Sequence, residues 1–252
     1  MFRNEVIGMK KLSLAMLATL GAMTSAQAHQ IWIEQADGGA VVRFGEFGEN
    51  LREASPGLLD KFSKVTATLL SAMGEQKAEA SKTASGFKLP FAAAAGDSIV
   101  AEDAGYPLYT WKQQDKEVRN WFYPAARLIT GFAAQQPKLP LDLVPTGQPG
   151  QFKLVFKDQP KPKTKVTLTT QSGWAKEAHT DAQGLVSFDM PWQGVYVAEV
   201  SHNDKTAGER AGPNGTEPYD AVSYATTVTY EKADGLPPLP PGPPATPAAP
   251  RK

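Results

Sequence analysis

Apolar and polar residues alternate in short runs along most of the chain, a period of two that predicts β-strands. Gln30–Glu34 and Ala40–Phe44 are two such runs, with Asp37-Gly38-Gly39 between them, and they predict a hairpin with a long loop. Leu51–Phe62 is interrupted by Ser55-Pro56-Gly57 and continues as a short, helix-compatible piece. Val65–Leu70 and Ser98–Glu102 read as strands, and the small, polar stretch Ala78–Gly86 reads as a loop or exposed hairpin end. Turn formers concentrate after Leu141–Val144, in Pro145-Thr146-Gly147-Gln148-Pro149-Gly150, and mark a boundary. Beyond it the strands come more regularly: Gln151–Phe156, Lys165–Thr170, Ala175–His179, Leu185–Asp189, Val195–His202 and Ser223–Tyr230. Six short strands in about eighty residues, separated by turns such as Thr180–Gly184, suggest an immunoglobulin-like sandwich. The expected fold is therefore all-β, with two β-sandwich-like domains at 29–144 and 145–231. Proline dominates from Gly235, and the segment 232–252 is expected to be disordered or polyproline-like.

The first 28 residues have a different character. Lys10 and Lys11 precede the apolar run Leu12–Met23, and Ser25-Ala26-Gln27-Ala28 closes it as a small-residue processing site. This is the pattern of a secretory signal, too short in its apolar part for a permanent span. Met9-Lys10-Lys11 itself has the form of a bacterial signal start, which would make residues 1–8 an overcalled beginning. Without a lipobox cysteine the expected compartment is the periplasm, with no membrane span after cleavage and with His29 as the first mature residue.

Composition narrows the chemistry. The 26 basic and 26 acidic residues cancel, so nothing favours nucleic acid or an anionic membrane as partner. With no cysteine, stability rests on packing, and a metal site must draw on imidazole, amine, carboxylate, amide or thioether groups. No G-x-S-x-G, H-E-x-x-H or phosphate-cradling glycine loop is present. Tyr106–Phe132 is rich in aromatics, with Trp111 and Trp121–Tyr123 flanking the charged stretch Lys112–Arg119, which reads as a hairpin tip. Such residues serve as sandwich core and rim, or as a stacking surface for a sugar or peptide.

The three histidines are His29, His179 and His202. A mature terminal His29 offers its α-amine and imidazole Nδ1, which can chelate one ion in a six-membered ring, in competition with protons near neutral pH. It is equally what chance cleavage would leave. His202 ends a strand with Tyr196, Ala198 and Val200 on its own face, and serves either as second ligand or as a polar terminus. His179 precedes a turn and reads as exposed, a reserve ligand at most. Glu34 and Glu46 could supply oxygens, though alternation puts Glu34 on the strand face opposite His29.

His29-x-x-Trp32-x-Glu34, Arg43-Phe44-Gly45-Glu46, Ser55-Pro56-Gly57-x-Leu59-Asp60, Phe122-Tyr123-Pro124-Ala125 and Leu141-Asp142-Leu143-Val144-Pro145 recur in one order. Thr180-Asp181-Ala182-x-Gly184, Glu199-x-Ser201-His202 and Tyr224-Ala225-Thr226-Thr227 continue it. In these features the chain resembles a family of periplasmic proteins of unknown function linked with nickel and cobalt uptake and found near outer-membrane receptor loci. The resemblance implies two β domains, an N-terminal histidine, and a role around transition-metal acquisition without demonstrated catalysis. It also implies an envelope metal-uptake transporter or outer-membrane receptor as partner. With only three histidines, one divalent ion per chain is what this sequence supports, nickel or copper before zinc, copper(II) winning on affinity alone. Two other readings compete: a structural or interaction module of the cell envelope, and a copper-dependent oxidative enzyme in which two histidines converge as a brace.

Overall fold

The computed structural model describes residues 29–36, 39–113 and 116–247. The expected signal, the Asp37-Gly38 turn and the last five residues lie outside them. Strands dominate, and the helical element among the described residues is one 3-10 turn, Leu58–Lys61. None of their helices is long and apolar enough to cross a membrane.

In chain order the strands begin with β1 (Gln30–Ala36), β2 (Gly39–Glu46), β3 (Leu51–Arg52), β4 (Thr66–Ser71) and β5 (Gly74–Glu79). They continue as β6 (Ser81–Thr83), β7 (Gly86–Lys88), β8 (Ser98–Glu102), β9 (Leu108–Gln113) and β10 (Lys116–Ile129). Past the turn-rich boundary come β11 (Leu141–Pro145), β12 (Gln151–Phe156), β13 (Gln159–Pro160), β14 (Lys165–Thr170) and β15 (Ala175–His179). The last are β16 (Leu185–Ser187), β17 (Gly194–Asp204), β18 (Gly208–Gly212), β19 (Gly215–Tyr219) and β20 (Ala221–Lys232).

The expected β1–β2 hairpin forms, in register from Gln30↔Gly45 to Ala36↔Gly39. The boundary at Leu143–Gly150, however, does not divide the sheets. A central nine-stranded sheet runs β15-β14-β17-β20-β10-β8-β4-β5, with β9 beside β10, and so draws strands from both sides of it. The link is the parallel pairing of β10 with β20, from Asn120↔Ala221 to Ile129↔Tyr230. This corrects the expectation of two separately built β domains. Strands a hundred residues apart leave no local signature of their pairing, whereas turn residues are conspicuous.

Strand alternation then sorts the core. On β10, Tyr123, Ala125 and Ile129 enter one apolar cluster with Leu141, Leu143, Phe152 and Leu154 of the sheet β11-β12-β13. Ala126 and Leu128 enter the other, with Ile31, Ile33, Val42 and Phe44 of β1-β2. Adjacent threonines of β20 make the same division: Thr226 Oγ1 donates to the Leu141 carbonyl and Thr227 Oγ1 to that of Ile31, each at 2.7 Å. The central sheet is thus covered by β1-β2 on one face and by β11-β12 on the other. At the boundary, fully buried Arg127 forms a bidentate pair with Asp142, which also accepts from the Lys138 and Leu139 N–H groups.

The proline-rich segment also departs from expectation, because it is seated on the body as far as it is described. Leu236 N–H donates to Pro191 and its carbonyl accepts from Gln193, Gly242 N–H donates to Gln171, and Ala245 N–H donates to Asn50. Proline removes donors, but the residues between the prolines keep theirs, and it is those N–H groups that dock.

Candidate functional site

Histidine 29 lies at the head of β1, opposite the end of β2, and its two ring nitrogens face two carboxylates. Nε2 is 2.7 Å from Glu53 Oε1 and Nδ1 is 3.3 Å from Glu46 Oε1. The Glu53 side chain is 3 % exposed. A carboxylate there accepts only, so Nε2 carries the hydrogen and donates. That leaves Nδ1 facing a second carboxylate, an arrangement satisfied by a cation between or on them: a ring proton or a metal ion.

Local sequence explains how Glu53 gets there. After Glu46 the chain turns through Phe47–Asn50 and returns as β3, with Gly45↔Arg52 in register and Glu53 N–H donating to the Phe44 carbonyl at 2.8 Å. A Cβ on Gly45 would come within 2.3 Å of the Leu51 carbonyl oxygen, at a φ of +143°. Only glycine allows β3 to close so tightly that its next residue reaches His29. Phe44, at 5.3 Å between ring centroids, backs the imidazole.

A third carboxylate comes from the central sheet. Glu199 on β17 stands between Thr167 and Thr227 and faces β1-β2. Burial, then the nearby Glu46 carboxylate, pushes its pKa up to about 7, against the opposing influence of Lys165 and a hydrogen bond from Gln30. Glu34, the other candidate oxygen donor, is committed elsewhere: Arg43 and Arg52 both donate to it, as does Trp32 Nε1.

The three histidines are held by different neighbours. His202 lies on the face of β17 opposite Glu199, its ring 4.6 Å from that of Phe156, and burial first, then Lys161, lowers its pKa. His179 is exposed on the edge strand β15, opposite Lys165. The expectation that His202 closes on His29 is therefore corrected, because three steps along a strand reverse the side-chain direction. Among the described residues no group of three or more His, Asp or Glu side chains is placed to hold a metal ion. Glu53 and Glu46 sit on opposite ring nitrogens and cannot converge with the ring on one point. What the donor chemistry would fit is a smaller set: Nδ1, Glu46 and, if cleavage before His29 freed it, the α-amine of that residue, with Glu53 orienting the ring from outside. Carboxylates commonly orient ligating histidines in this way.

Sequence reasoning named His29 and Glu46 and passed over Glu53 and Glu199. The available signals were the tight Gly48-Glu49-Asn50 turn, which returns the chain toward β2, and an acidic residue at an inward position of a long strand.

A family model described as a domain of unknown function (DUF4198) matches residues 26–204, a span that contains His29, Glu46, Glu53 and Glu199. No curated protein matches the chain.

Proposed function

We propose, for a chain that belongs to the DUF4198 family, that it binds one divalent transition-metal ion, nickel or copper, at a processed His29 as an accessory to metal uptake in the periplasm. The observation that carries this reading is the bracketed imidazole: a buried acceptor on Nε2 and a second carboxylate facing Nδ1. His29 would hold the ion through amine and Nδ1, Glu46 would add an oxygen, and Glu53 would fix the tautomer and raise the ring's basicity. Bound there, the ion would supply Lewis acidity and open coordination positions. The site would also sense protons, which compete for amine and imidazole alike.

The brace reading requires a second histidine, and His202 faces the other side of β17, against Phe156. The metal-binding reading is tested by calorimetry with nickel and copper on protein beginning at His29. Acetylating the amine, retaining Ala28 or introducing Glu46→Gln should each weaken binding at least tenfold. Unchanged affinity in the acetylated protein would remove the terminal chelate from consideration.

A further inference from the structure

His29 is also one wall of a cavity of about 440 Å³. Phe44, Tyr106, Leu108, Tyr109 and Phe122 are among its other walls, and Lys61 supplies an ammonium. The rings interlock: His29 with Phe44, and Tyr106 edge-on to Phe122 at 5.1 Å. Tyr106 is 9 % exposed and its backbone is bonded to Asp103 and Arg210, but its hydroxyl has no partner among the described residues. Burial and the Asp103 carboxylate push that phenol up to about 12, so it remains a hydrogen-bond donor at neutral pH. Tyr109, 44 % exposed, stands at the mouth.

An apolar cavity with few convergent polar groups is the usual form of a small-molecule site. Among its polar groups, the Lys61 ammonium and the Tyr106 O–H both suit an anionic oxygen. A saccharide would need more partners than these walls offer. A flat ring would meet aromatic edges and faces at the distances such pairs favour. Nδ1, the α-amine and Glu46 together leave positions of an ion uncovered, and a ligand in this cavity is adjacent to His29.

From these features we propose that the cavity takes a flat, anionic organic chelator, which completes the coordination of an ion already held at His29. This rests on the metal reading above and specifies its cargo. Picolinate and glycinate test it, because both present one nitrogen and one carboxylate and only picolinate carries an aromatic ring. Titrated into nickel-loaded protein beginning at His29, and normalised to each chelator's affinity for aqueous nickel, picolinate should bind about tenfold more tightly, about 1.4 kcal/mol. Tyr109→Ala, at an exposed position, should remove most of that preference, whereas Tyr106→Phe, which keeps the ring and loses the hydroxyl, should weaken both chelators alike. Equal normalised affinities, or a preference that Tyr109→Ala leaves unchanged, would overturn the proposal. Nickel that fails to bind without any chelator removes the metal reading and this one together. Nickel that binds normally but without chelator preference removes this one alone.

Discussion

Replacing Glu199 with glutamine isolates the electrostatics of the site from its packing, because the amide keeps the shape of the carboxylate and a carbonyl for Gln30 to donate to. Burial and Glu46 raise the Glu199 pKa from 4.5 to about 7. Between those values the folded protein binds a proton that the unfolded chain has released, so stability falls as pH rises through the window. Below about pH 4.5 the group costs nothing. Above pH 7 both states are ionised, and the fold carries the full penalty, about 3 kcal/mol at one pKa unit per 1.36 kcal/mol. The assay is urea unfolding of chelator-treated wild type and Glu199→Gln at pH 5 and pH 8, compared as a difference so that other carboxylates cancel. The variant should gain on the wild type by about 2–3 kcal/mol between the two pH values. Glu46→Gln in the wild-type background should shrink the window from above, since it removes the like charge. A difference that stays flat from pH 5 to pH 8 would refute the claim that Glu199 is a costly buried carboxylate.

Asp142→Ala should destabilise the fold by about 3–5 kcal/mol in the same unfolding measurement, because it strands the buried Arg127 guanidinium; a loss under about 1 kcal/mol would contradict that. Truncation before Leu236 should cost about 1–2 kcal/mol, from several backbone hydrogen bonds offset by the freed chain. No change at all would show that the docked segment contributes nothing. His202→Phe should leave nickel affinity within about twofold, whereas His29→Ala should abolish most of it, and calorimetry on the two variants separates them; equal losses would restore His202 to the site.

Much of the local structure was legible in the sequence because it is local physics. The β1–β2 hairpin follows from alternation around a glycine-rich turn, and β12, β14, β15 and β17 fall within a residue or two of their expected positions. The Thr180–Gly184 turn is likewise local: Asp181 Oδ1 accepts from the N–H groups of Gln183 and Leu185. His29 was legible as a candidate from its position after an expected processing site, and Glu46 as a nearby acid.

Composition and alternation alone determined that this protein is built of strands and that no thiolate is present to ligate a metal. Tertiary structure decided how those strands are shared. The parallel β10–β20 pair joins segments a hundred residues apart, and its formation depends on two buried cores that exist only once both are folded. The same long-range packing chose the site's members. Glu53 reaches His29 because β3 folds back over Gly45, Glu199 because β17 presents its odd-numbered face to β1-β2, and His202 is excluded because it lies on the even one. Side-chain direction along a strand can be read from the sequence, but which sheet each face meets is fixed only by the assembled layers.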